Sequence, residues 1–298
     1  MIETDDYWII EDQFIFKPHF DSSIDVYKNI ISQYNKLVFS NYKDVDSCIK
    51  RNNKFDSKYC NNFIASKFNQ IVDLPYNLTH INFASCFNQI VELPQNLTHL
   101  TFGDYFNQKV DLPPNLIYLT FGHKFNQAVE LPPNLVHINF SYDFNQKVDL
   151  PPNLIHINFG NNFNQKVDLP PNLLHINFGY YFNQIVDLPF NIKYLKIECN
   201  NKNLIDYLPD SIEELVLGFN FNLELNDLPQ SIKKIYFDCK FYNKELNCLP
   251  SNIEYIELPI NYDKEIVKYP NKLKTIKCYN NYKYIKLLKK KGYGVLTY

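Results

Sequence analysis

Glycine is scarce in this chain of 298 residues, with seven in all, and several classes of site are excluded with it. Neither a phosphate-cradling glycine loop nor a dinucleotide-binding Gly-x-Gly-x-x-Gly turn is present, and the glycine-rich repeat that binds calcium is missing too. No apolar run approaches the roughly 18 residues of a membrane span. The acidic start Met1-Ile2-Glu3-Thr4-Asp5-Asp6 lacks the basic and apolar segments of a signal peptide. Both absences predict an intracellular, cytoplasmic protein without a membrane partner. The seven cysteines are odd in number and contain no Cys-x-x-Cys pair, which suits free thiols in a reducing compartment and leaves no disulfide framework or zinc site to expect. A charge excess is missing as well: 30 Lys and Arg face 32 Asp and Glu, a formal net charge of -2. That balance counts against nucleic acid as the main ligand.

What the sequence does contain is a period. Phe-Asn-Gln begins at Phe68, Phe87, Phe106, Phe125, Phe144, Phe163 and Phe182, each 19 residues after the last. Leu-Pro follows at Leu74, Leu93, Leu112, Leu131, Leu150, Leu169 and Leu188, and continues at Leu208, Leu228 and Leu249 with spacings of 20, 20 and 21. Self-similarity at a fixed short period is the mark of a stacked repeat array.

Within the unit Leu154 to Asn172, the apolar residues Leu154, Ile157 and Phe159 have the Leu-x-x-Leu-x-Leu spacing. The last two share one face of a strand, because side chains alternate with period 2. A small residue follows at Ala84, Gly103, Gly122, Ser141, Gly160 and Gly179, read as a tight turn. The consecutive prolines of Asp-Leu-Pro-Pro-Asn then exclude helix and favour a polyproline-like return. The predicted fold is mainly β: a leucine-rich-repeat-like solenoid with one parallel sheet, extended returns and capped ends. Its core holds two columns of phenylalanine, and the Asn of Phe-Asn-Gln is expected to form a buried ladder satisfying the turns.

Phe-Asn-Gln followed by Leu-Pro-x-Asn-Leu resembles the FNIP repeat, familiar from social amoebae and giant viruses and similar in layout to the short leucine-rich repeats of bacterial effectors. The resemblance implies a protein-interaction scaffold; the cytoplasm in question is that of a host if the chain is viral. Some relatives place an F-box before the repeats, which implies substrate recruitment to a ubiquitin ligase. Residues 1–67 show no Leu-Pro-led F-box pattern, so the alternative is a substrate-receptor subunit with a diverged N-terminal module.

The expected boundaries are an N-terminal cap over 1–67, a solenoid over 68–271 and a C-terminal cap over 272–298. Tyr34-x-x-Leu37-x-Phe39 repeats the strand spacing, Tyr59 to Ile64 reads as another degenerate strand, and Asp25 to Gln33 reads as a short helix. Residues 272–298 hold eight lysines and no acid, a solvated cap face or a contact for nucleic acid or an acidic protein.

His80, His99, His137, His156 and His175 occupy one repeat position, with Tyr118 and Tyr194 filling the remaining places. Alternation turns this column away from the core, onto the exposed, concave face of the sheet. Beside it run Asn82, Thr101, Thr120, Asn139, Asn158 and Asn177. The candidate partner-binding residues are the seven rings with Asn139, Asn158 and Asn177; duplication of one ancestral repeat is the competing account of the column. Ligands in a row on parallel strands seldom converge tetrahedrally, so no metal site is read here. No nucleophile or paired acid recurs beside the rings, so the chain reads as non-enzymatic, without cofactor and with a protein partner. Adjacent imidazoles cannot all charge cheaply, which predicts pKa values below 6.5. The carboxylates Asp73, Glu92, Asp111, Glu130, Asp149, Asp168 and Asp187 form a second outward column, read as a solvated edge.

Overall fold

The computed structural model describes residues 1–50 and 63–298; the expected strand at Tyr59 to Ile64 lies outside them up to residue 62. The chain divides into two compact units, Met1–Leu154 and Ile155–Tyr298.

The first unit carries β1 (Ile2–Glu3), β2 (Tyr7–Ile10), β3 (Gln13–Phe16), a 3-10 turn (Ile24–Tyr27) running into α1 (Lys28–Ile31), β4 (Lys36–Phe39), α2 (Val45–Lys50), β5 (His80–Asn82), β6 (His99–Thr101), β7 (Tyr118–Thr120) and β8 (His137–Asn139). β1, β2 and β3 pair antiparallel, and pairing is parallel from β3 onward. Register follows the repeat: His80 opposes His99, Ile81 opposes Leu100, and Asn82 opposes Thr101.

Each strand forms because its alternation suits a sheet with one dry face. Ile81 and Phe83 are buried inside, while His80 and Asn82 look out. Leu78, Leu97, Leu116 and Leu135 enter the core just before the strands, where a turn bond such as Leu97 N–H to Pro94 O, 3.2 Å, closes each return.

The two phenylalanine columns interlock. Phe102 lies 3.8 Å from Phe106 and Phe121 3.7 Å from Phe125, centroid to centroid, with rings within 10° of parallel. Every one of these rings is buried, and burial of each contributes about 1.5–3 kcal/mol.

Two further columns lock coil to coil. The Asn126 backbone N–H donates to Asn107 Oδ1 at 2.9 Å, and Asn145 N–H to Asn126 Oδ1 at 2.9 Å; Gln127 and Gln146 donate to the same oxygens at 3.1 Å. This ladder is half-exposed rather than buried. A second ladder, unforeseen in the sequence, joins Asn115 Nδ2 to Gln95 O and Asn134 Nδ2 to Pro114 O, both at 3.1 Å.

The small-residue column owes its composition to closeness of coils. A Cβ built on Gly122 would lie 1.9 Å from Gly103 O, and one on Gly103 1.8 Å from Ala84 O. Neither glycine has positive φ, so close stacking, rather than a special turn conformation, excludes larger side chains.

The second unit carries β9 (His156–Asn158), β10 (His175–Phe178), β11 (Tyr194–Ile197), α3 (Lys202–Asp206), β12 (Glu214–Leu217), β13 (Lys234–Phe237), β14 (Tyr255–Glu257), β15 (Thr275–Cys278), α4 (Ile285–Lys290) and β16 (Gly294–Thr297). All its strands pair parallel. Here tyrosines enter the phenylalanine column, and Tyr262 and Tyr282 donate to Lys244 O and Lys264 O at 3.2 and 2.8 Å. Two returns are helical: α3, capped by the Asn201 side chain accepting from Asn203 N–H, follows the ladder residue Asn200 between β11 and β12, and α4 lies between β15 and β16. Extended returns are therefore the rule for the regular coils and not for all of them.

Candidate functional site

The solvent side of the first unit's sheet is built from alternate strand residues. Its first row is Lys36, His80, His99, Tyr118 and His137; its second is Trp8, Ile15, Val38, Asn82, Thr101, Thr120 and Asn139. In the first row the rings stack face to face: His80 to His99 at 4.1 Å, His99 to Tyr118 at 4.4 Å and Tyr118 to His137 at 4.3 Å, all within 16° of parallel. Parallel register at strand spacing brings rings at one repeat position on adjacent strands face to face. Tyr118 is 41% exposed and the most open of them.

Hydrogen bonding orients two imidazoles. The Thr98 hydroxyl donates to Thr79 O at 3.1 Å and shares a 2.9 Å bond with His99 Nδ1. Thr79, 3.3 Å from Asn35 O and 2.8 Å from His80 Nδ1, holds the His80 ring in the same way.

Burial is the first cause that holds His80 down at about 4, with His99 and Lys36 adding repulsion. His99 is lowered by burial, then by Lys36 and His137. His175 in the second unit is lowered by burial against the opposing pull of Glu214. Desolvation thus outranks the repulsion between imidazoles that the sequence suggested.

The second row is not uniformly open. α2 and the chain around it fold over its first strands, burying Trp8, Ile15, Tyr42 and Cys48 with Val38, Val45 and Phe63 packed against them. The signal was present in the sequence: Tyr-Trp-Ile-Ile, Gln-Phe-Ile-Phe and Lys-Leu-Val-Phe carry apolar residues on both faces, as strands covered on both sides do. Beside this cover lies a shallow cavity of about 250 Å³, lined by Phe63, Asn82, Thr101, Thr120, His123 and Asp104 among others. His123 Nδ1 stands 3.4 Å from the Asp104 carboxylate.

In the second unit, His156 and His175 stack at 4.1 Å and Tyr194 follows at 5.6 Å, with Asn158 and Asn177 alongside in register. From β11 the face changes character. Lys196 pairs with Glu198 at 2.6 Å and Lys234 with Glu214 at 2.6 Å. Glu257 accepts from Tyr255 at 3.1 Å and from Tyr298, and lies 3.4 Å from Lys277. The structure therefore aligns the ten candidate residues in rows within each unit: His80, His99, Tyr118, His137 and Asn139 in the first, His156, His175, Tyr194, Asn158 and Asn177 in the second. Among the described residues no group of three or more His, Cys, Asp or Glu is placed to hold a metal ion, and no helix is long and apolar enough to cross a membrane.

The sequence model of the FNIP repeat matches residues 87–124, 106–143, 144–181, 200–240 and 219–259, just over half of the chain. The chain belongs to the FNIP repeat family. The stacked rings of β6 to β10 lie within the matched repeats, and so do the charged strands β12 and β13. Among solved structures, these FNIP coils are similar to CroV588, described as a novel circular leucine-rich-repeat protein, with 32% identity and a TM-score of 0.63 over 92% of this chain and 48% of that one. YopM from Yersinia enterocolitica WA-314 is similar at 21% identity and a TM-score of 0.48, over 83% of this chain and 51% of that one. The chain spans about half the length of either. No curated protein sequence matches it. The fold is a leucine-rich-repeat-like solenoid.

Proposed function

We propose that this FNIP protein is a non-enzymatic scaffold that holds a protein partner on the solvent side of its sheet. The observation that carries the reading is the unbroken row of half-exposed rings from His80 to His137, stacked at 4.1–4.4 Å beside a row of Asn and Thr. Rings locked against one another lose little freedom on binding, and that is what favours aromatic anchors in interfaces. Their Nδ1 atoms engaged by threonine, His80 and His99 leave Nε2 to a partner, while Thr101 and Thr120 present hydroxyls, a mixture suited to polypeptide backbone and side chains. Solenoids generally bind through such extended faces.

The test is capture of partners by the tagged chain from its native cell, comparing wild type with His99→Ala, Tyr118→Ala and His137→Ala combined, after thermal unfolding shows both folded. A partner lost from the variant alone supports the reading. An unchanged partner set removes recognition from the ring row.

A further inference from the structure

In the second unit, several lysines in and beside the strands are answered by acids one coil away. Lys233 meets Glu213 and Lys234 meets Glu214, both at 2.6 Å; Lys274 meets Glu254 at 2.6 Å and Lys277 meets Glu257 at 3.4 Å. The acids stop at Glu265, and nothing from 266 to 298 carries a negative side chain. The lysines do not stop: Lys283, Lys286, Lys289, Lys290 and Lys291 fall on α4 and its flanks, all exposed around the buried Leu288. Among the described residues none of these five makes an ion pair.

The patch is partly held in place by rings. Lys283 lies 5.1 Å over Tyr284, and Lys291 lies 5.2 Å over Tyr269, which itself stacks on Tyr293 at 5.1 Å. Ammonium groups on fixed stems keep their mutual repulsion, and a partner bearing carboxylates relieves it.

We propose that the lysine face of α4 docks an acidic segment of a partner protein, supplying the carboxylates that the preceding coils supply to their own lysines. Charge complementarity alone would also admit nucleic acid, but one feature favours protein. The tyrosine faces that would serve as base-stacking platforms are engaged by lysines or by one another, as Tyr279 on Tyr298 at 4.3 Å shows. This inference does not depend on the ring row, and variants of the two surfaces read separately.

The experiment uses the full chain and a fluorescein-labelled ten-residue polyglutamate, with a labelled ten-residue oligothymidylate as comparator, titrated by anisotropy at low salt. Lys286→Glu, Lys289→Glu and Lys290→Glu are combined in one variant. Lys109→Glu, Lys147→Glu and Lys166→Glu make the same change of net charge elsewhere, and all proteins are first checked for cooperative unfolding. The expected result is at least tenfold weaker peptide binding by the α4 variant and none of that loss in the control. Full binding should persist when the same three α4 lysines become arginine, and salt should release the peptide as screening shortens to about 10 Å at 0.1 M. Equal loss in both glutamate variants, no loss in either, or oligothymidylate binding tighter than the peptide overturns the proposal.

Discussion

Phe125 and Gly122 set the stability of one coil through opposite properties, a large side chain that fills space and an absent one that leaves it. Phe125 is 1% exposed and packs 3.7 Å from Phe121, so Phe125→Ala should lower the unfolding free energy by about 3–5 kcal/mol in urea. Gly122→Ala drives a methyl into Gly103 O and should cost about 1–3 kcal/mol by the same measurement. The imidazoles give a second residue-scale prediction. Nitrogen shifts of His80 and His99 at neutral pH should report a single tautomer at each ring, because each Nδ1 is engaged by a threonine hydroxyl. A third concerns acid. His80 titrates near 4 when folded, below the ordinary 6.5, so its contribution to stability is whole above about pH 6.5. It declines as pH falls toward 4, because the unfolded chain takes up a proton that the folded one resists. Urea midpoints measured from pH 7.5 to 5, before most carboxylates titrate, should fall in wild type and fall less in His80→Gln.

Individual elements differ in how plainly the sequence announced them. The strands were legible because Ile81 and Phe83, or Ile157 and Phe159, repeat one alternation many times over, so that register and ring column follow from a 19-residue offset. The helical stretch near Asp25 to Gln33 was legible from local pattern and appears as the 3-10 turn with α1. The cover formed by α2 was not, because its contact with Trp8 and Ile15 joins segments that share no period. Nor was the proline-side ladder of Asn115 and Asn134, since Asn in Pro-Asn-Leu reads equally well as a turn residue. The cover can be followed through the chain's single tryptophan. Trp8 is 3% exposed and its indole N–H donates to Glu3 at 3.0 Å. Its emission should be blue-shifted in the native protein, and Tyr42→Ala should shift it to the red while the far-UV spectrum of the repeats stays unchanged. An unchanged emission maximum would show that Tyr42 does not hold the cover down.

For the molecule as a whole, the two units present different chemistry on one kind of scaffold: neutral stacked rings from β5 to β8, paired lysines and glutamates from β11 to β15. Salt should therefore discriminate between them, weakening a contact made through the charged strands and sparing one made through the rings. The repeated contacts also make the array tolerant of whole-period changes. Removal of residues 106–124 joins coils whose core, ladders and register are the same, so the shortened chain should still unfold cooperatively, whereas a ten-residue deletion from the same segment should not. With Tyr118 gone, His99 would meet His137 in its place. The uniform spacing of successive strands thus acts as a graduated scale, marked at intervals of about 4.8 Å: evolution can lengthen or shorten the ruler by copying or losing one division, and every division that remains still reads true.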